Sequence, residues 1–166
     1  KRVHHHENRI TLLPTSLQDG WVRLIQCHYD LDPVSRLEIV FRKGFIRDLS
    51  IQTRQQIEKV WINNGSVQLQ NISKNALLCF AAESQSLLKF ADGRFGLRNG
   101  PYMRKFLDGY YPMHVSMDVK IPTQLRFVSI LPSQQQGFKV WQSTESVHVD
   151  TWFEGRLLTE LVFEST

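Results

Sequence analysis

The sequence predicts an all-β protein of antiparallel sandwich type, built as two tandem units with one short helix at their junction. Short segments rich in β-branched and aromatic residues recur along the whole chain. Turn signals separate them at close intervals: Asn63-Asn64-Gly65, Asp92-Gly93, Pro122-Thr123, Pro132-Ser133, Gln136-Gly137 and Glu154-Gly155. Helical spacing is clear only over 101–110.

Residues 1–9 read as an N-terminal tail, since chain ends are ordinarily mobile. Strands are then expected over 21–29, 37–41, 46–52 and 58–62, each carrying β-branched or aromatic side chains. In 66–72, Val67, Leu69 and Asn71 alternate with Ser66, Gln68 and Gln70, which is the period of a strand. The unbroken apolar run 76–82 suits a central strand. Residues 87–90 and 94–98 flank Asp92-Gly93, a strong hairpin signal. Further strands are expected over 114–121, 125–131, 138–143, 146–153 and 156–164.

An internal repeat is visible. Val60-Trp61 before Ser66-Val67 matches Val140-Trp141 before Ser146-Val147 at an offset of 80 residues, which Leu69 and Val149 keep. Leu37, Ile39 and Phe41 match Met117, Val119 and Ile121, and Arg47–Ile51 resembles Arg126–Ile130 with one residue of slippage. A duplicated sandwich unit of about 80 residues would account for this. The expected units are 1–99 and 100–166, with Trp61 and Trp141 as equivalent core anchors.

Between them, Pro101 can open a helix without losing a hydrogen bond. Met103, Phe106, Leu107 and Tyr110 fall on one helical face, Arg104, Lys105 and Asp108 on the other, and Gly109 with Pro112 ends it. Two turns are too few to stand alone, so the apolar face must dock on a sheet. Packing explains this spacing. The recognition reading of the same segment uses Tyr102, Arg104, Lys105 and Tyr111, an aromatic and basic set of the kind found in binding hot spots.

Composition narrows the function. In 166 residues, 42% are apolar and 22% charged, normal for a folded domain, and the net charge of +4 is dispersed rather than clustered. That argues against nucleic acid, and no apolar run is long enough for a membrane helix. The chain begins at Lys1, without Met or signal peptide, and reads as a mature or trimmed product. Cys27 and Cys79 either pair in an oxidising compartment or pack as two buried thiols. The strand-rich pattern inclines the reading toward an exported, periplasmic or secreted protein.

Catalytic and cofactor signatures are missing: G-x-S-x-G, H-E-x-x-H, G-x-G-x-x-G, the phosphate-binding G-x-x-x-x-G-K-[ST] and C-x-x-C do not occur. Ligand-type residues do occur. His4, His5 and His6 form a tract that can hold metals adventitiously. His28, Asp30 and Asp32 would share one face of a strand, as would His148 and Asp150, and the two sets would make a divalent-metal site if they converged. The simpler reading of each is the solvent face of a strand.

These features together resemble the immunoglobulin-like sandwich superfold, a likeness of architecture that carries no function. The expected role is a non-catalytic module, without a cofactor, that binds a protein or glycan through a sheet edge, a loop or the junction. A small-ligand carrier of closed-barrel type is the alternative, and histidine-dependent metal binding the second.

Overall fold

The computed structural model describes residues 2–166. Fourteen strands follow in order: β1 (His5–Thr11), β2 (Trp21–Tyr29), β3 (Arg36–Val40), β4 (Ile46–Asn63), β5 (Ser66–Gln85), β6 (Leu87–Lys89), β7 (Phe95–Tyr102), β8 (Lys105–Phe106), β9 (Gly109–Tyr110), β10 (Pro112–Lys120), β11 (Leu125–Leu131), β12 (Phe138–Gln142), β13 (Ser146–Glu154) and β14 (Leu157–Ser165). The only helix among the described residues is one turn, α1 (Ser16–Asp19), closed by Gly20 in the left-handed conformation.

Eight strands make the larger sheet, in the order β12-β13-β10-β1-β2-β5-β3, with β4 on β5. Four make a second sheet, β11-β14-β7-β6, and β8 and β9 form a separate hairpin. β1 runs parallel to β10 and antiparallel to β2. The larger sheet is open, with β4 and β12 at its ends, so it is not a closed barrel.

Strand alternation sets the layers. Met113, Val115, Met117 and Val119 of β10 and Val147 and Val149 of β13 pack against Phe95 and Leu97 of β7 and Leu161 and Phe163 of β14. This principal core lies between the two sheets. A second core, around Val67, Leu69, Leu78 and Phe80, lies under the long β4–β5 hairpin and takes in Leu31 and Ile57.

The all-β, antiparallel class holds, but three local expectations do not. The line between 99 and 100 falls inside β7, and β1 and β2 share a sheet and a core with β10 and β13. It therefore does not separate two cores. The expected tail is the middle of the larger sheet, since residues 5–9 belong to β1. The junction helix over 101–110 is absent: residues 101–102 finish β7 and β8–β9 form a hairpin. Phe106 is 39% exposed and Leu107 fully exposed. A two-turn helix makes few internal bonds, whereas Leu107-Asp108 turns tightly between the paired residues Phe106 and Gly109, with Gly109 at φ 130°.

The repeat appears as strand register. Ile39 faces Val67, and Leu37 faces Leu69. Eighty residues on, Val119 faces Val147 and Met117 faces Val149. Trp61 faces Gln68 as Trp141 faces His148. The three strands β3, β5 and β4 thus pair like β10, β13 and β12, at opposite ends of one sheet. The match of 47–51 to 126–130 fails, because β4 pairs with β5 whereas β11 pairs with β14 in the other sheet. Nor are the two tryptophans core anchors: both lie in edge strands, Trp61 half-buried and Trp141 51% exposed.

Candidate binding face and the histidines of the central strand

The His4-His5-His6 tract enters β1, where successive side chains point to opposite sides of the sheet. His5 faces outward. His4 and His6 face the inner layer, between the two cores. Pairing with β2 and β10 on either side then gives each imidazole its neighbours.

On the inner side, His6 lies opposite His28 of β2. The His4 and His28 rings are 5.1 Å apart and the His6 and His28 rings 4.4 Å apart. The hydrogen bonds run in one direction. His28 Nε2 meets Gln26 Oε1 at 2.9 Å, and since a carbonyl oxygen only accepts, Nε2 carries the proton. His28 Nδ1 is then an acceptor, and His4 Nε2 donates to it at 2.9 Å. Gln26 Nε2 donates onward to Asn8 Oδ1 at 2.8 Å, and Asn8 Nδ2 to the Tyr102 hydroxyl at 2.7 Å. His6 Nε2 donates to the same Asn8 oxygen at 3.2 Å.

Burial holds these imidazoles neutral. It pushes His4 down to about 4, with Asp32 opposing the shift and Arg104 and His5 adding to it. His6 falls to about 3, from burial and then His4. His28 lies well below the ordinary range, from burial first and its histidine neighbours second. Burial likewise raises the Tyr102 hydroxyl, against its bond from Asn8. A cleft of about 290 Å³ opens beside His6, Asn8, Gln26 and Tyr102. Among the described residues, every buried side-chain nitrogen and oxygen has a partner, so this network is complete in itself.

On the outer side, one row crosses four adjacent strands: Tyr29 on β2, His5 on β1, His114 on β10 and Trp152 on β13. The rings stack face to face. Centroids are 5.3 Å apart for Tyr29 and His5, 3.8 Å for His5 and His114, and 4.0 Å for His114 and Trp152. His114 Nε2 meets Asp150 Oδ1 at 2.5 Å, and the Tyr29 hydroxyl donates to Glu7 at 3.2 Å. Burial and the adjacent His114 lower His5, while Glu7, Asp150 and Asp30 oppose that shift. Farther along the same face lies a hollow of about 500 Å³ bordered by Arg9, Arg23, Ile25, Asp118 and Lys120.

His5 Nε2 also lies 2.7 Å from Ser116 Oγ. A serine beside an imidazole is half of a nucleophilic arrangement. Ser116, however, sits in mid-strand, where the neighbouring backbone N–H groups belong to ladders with β1 and β13 and offer no oxyanion site.

The sequence-derived metal set does not assemble. His28 faces inward on β2. Asp30 has left the strand, in the left-handed conformation at φ 53°, and pairs with Arg2. Asp32 lies in the following loop, bound to Arg104 at 2.6 and 3.0 Å. His148 and Asp150 are on the outer face of β13, against Trp141 and His114. The sheet itself thus separates His28 from His148 and Asp150. No group of three or more His, Cys, Asp or Glu side chains among the described residues is placed to hold a metal ion.

Of the aromatic and basic set at 102–111, Arg104 and Tyr111 meet, with the guanidinium carbon 5.4 Å from the ring centroid, while Tyr102 turns away into the interior. Tyr102 is buried under Asn8. Arg104 ties the hairpin to Asp32, whose hydrogen bonds raise its pKa. Lys105 lies over the Tyr110 ring, and the Tyr111 hydroxyl donates to Asp108. Sequence reasoning missed the outer row, and the signal for it was faint. Alternation of apolar Ile10 and Leu12 behind the histidines marks a strand, but nothing local says which strands flank it. Cys27 and Cys79 lie directly opposite on β2 and β5 and form a disulfide.

No protein-family profile matches this chain, and no curated protein does. Solved structures do. An M1 zinc metallopeptidase from Deinococcus radiodurans, an E323A mutant bound to a Tyr-Ser-Ala substrate, is 9% identical. The match covers 96% of this chain and 41% of that one, with a TM-score of 0.51. The likeness is one of fold. A second structure, the M1 zinc metallopeptidase from the same organism, gives 9% identity, the same two coverages and a TM-score of 0.48. This chain therefore spans about two fifths of the length of the peptidase chains it matches.

Proposed function

We propose that this chain is a non-catalytic, exported interaction module that engages a protein or glycan on the outer face of its larger sheet. The observation that carries this reading is the pair of exposed tryptophans there, Trp141 at 51% and Trp152 at 55%. Large aromatic side chains in water are unfavourable unless a partner covers them, and tryptophan is enriched where partners bind. The surrounding face supports it. Arg9, Arg23, Lys120 and His148 are exposed there, and the principal core lies wholly on the other side.

The disulfide supports export, since such bonds persist in oxidising compartments. Support for a non-catalytic role comes from Ser116, which lacks an oxyanion site, and from the absence of H-E-x-x-H. The peptidase activity named for the similar structures belongs to those longer proteins.

The test is photo-crosslinking in the cells that make the protein. A benzophenone amino acid at Lys139, on the outer face between the two tryptophans, is expected to capture a partner. The same group at Leu107, on the hairpin tip, is expected to capture none. Equal capture at both, or none at Lys139, contradicts the reading.

A further inference from the structure

The stacked row stops at Trp152 for a structural reason. The next strand, β12, places Gly137 opposite Trp152: one step past the Phe138–Thr151 pair, the Trp152 N–H donates to the Gly137 carbonyl at 3.0 Å. Every other strand of the row contributes a ring, whereas this position contributes no side chain. One face of the indole rests on His114, 4.0 Å away at 12°. The other face lies above the glycine, open to water.

Trp141 sits on the same outer face of β12, opposite His148. His148 is four residues from Trp152 along β13. At about 3.4 Å per residue the two indoles are about 14 Å apart along the strand. The intervening row holds Lys139 facing Asp150. At the Trp152 end, the exposed Gln136 directly precedes Gly137 in the chain. The surface therefore offers two flat apolar platforms with hydrogen-bond donors and acceptors between and beside them.

Resting on the outer-face reading above, we infer that this strip binds an extended neutral glycan, with one sugar ring stacked on Trp152 over Gly137 and another on Trp141. Sugar rings present one C–H-rich face and a rim of hydroxyls, so they need both kinds of surface at once. Asp150 accepts from hydroxyls, while Lys139 and the Gln136 amide donate to them. An aromatic peptide side chain would need an apolar pocket to enclose its edges, and the residues beside the platforms are polar and exposed. The glycan lies along β13, across the row of rings.

The test is native electrophoresis through gels containing soluble β-glucan, α-glucan, mannan or galactan, one at a time. At least one polysaccharide is expected to retard the protein. Trp152→Ala and Trp141→Ala should each weaken retardation about tenfold, as loss of an exposed aromatic anchor does. The double variant should not be retarded, and Leu107→Ala should behave as the parent. Unchanged circular dichroism shows that the variants fold. Absence of retardation by all four polysaccharides, or equal retardation of the double variant, overturns the inference. So does quenching of the parent's tryptophan fluorescence by an aromatic dipeptide but by no polysaccharide, which would assign the strip to a protein partner. If Lys139 still captures a partner in cells while every polysaccharide fails, only the glycan assignment falls. Without capture at Lys139, the binding face falls with it.

Discussion

His4 donates from Nε2 to Nδ1 of His28 at 2.9 Å, as the first step of a one-way chain that ends at the Tyr102 hydroxyl. The direction matters because each imidazole is committed to a neutral form. A proton added to His28 Nδ1 would turn an acceptor into a donor pointing at another donor, on a residue that is only 4% exposed.

Stability should therefore fall steeply in mild acid. The folded pKa values of His4, His6 and His28 lie below the unfolded value of 6.5, so the unfolded chain takes up protons first. Their contribution is complete above pH 6.5 and is lost as the pH falls from there toward 4. Three such groups bring the slope toward about 4 kcal/mol per pH unit near pH 5, between the unfolded and folded values, and less at either end. Urea melts between pH 7.5 and 4.5 measure it. His28→Gln, which removes one titrating group, should flatten the slope by about a third.

Asn8 joins three groups at once, accepting from Gln26 and His6 and donating to Tyr102. Asn8→Ala should cost about 2–4 kcal/mol, because it strands several buried polar atoms together. Tyr102→Phe strands only the Asn8 amide and should cost about 1–2 kcal/mol. Equilibrium denaturation of both variants gives the ordering, which matters more than either value.

The Cys27–Cys79 disulfide closes a separation of 52 residues between adjacent strands. Loop-closure entropy for that length corresponds to about 4 kcal/mol. The oxidised protein should show no free thiols when titrated in denaturant. The Cys27→Ala/Cys79→Ala variant should melt at a lower temperature, by an amount that reducing agent does not increase further.

Arg104 and Asp32 connect the β8–β9 hairpin to the loop after β2. Both side chains are mostly shielded, so Asp32→Asn should cost about 1–2 kcal/mol, between the values for exposed and fully buried pairs. Amide exchange at Tyr110 and Tyr111 should quicken in that variant. Leu107→Ser at the exposed tip should change stability by less than about 0.5 kcal/mol.

Fold class was legible because residues 66–72 and 114–121 alternate with a strand's period and glycines mark the turns. The lengths of β4 and β5 were not. The gaps left between expected strands, 53–57 and 73–75, are irregularities inside long strands, where Gln56 and Asn75, and Asn71 just before the second gap, adopt positive φ. The helix misled because Met103, Phe106, Leu107 and Tyr110 fit a helical face, while the turn that forms, Leu107-Asp108 between paired Phe106 and Gly109, lacks the Asp-Gly centre seen at 92–93. The repeat matched β12 and β13 to β4 and β5 but not their place in the sheet, since such a match is local and sheet order is not. For that reason His28 and His148 could be named from sequence, while the sheet lying between them could not.

The placement of β1 in the middle of the larger sheet underlies both the inner histidine chain and the outer ring row. Residue-resolved amide hydrogen exchange tests it most directly. A strand paired on both sides predicts that amides from His6 to Thr11 exchange as slowly as those of β2 and β10. Exchange at the unfolded rate over those residues, with β2 and β10 still protected, would make the tract a free tail and contradict the structure of both faces.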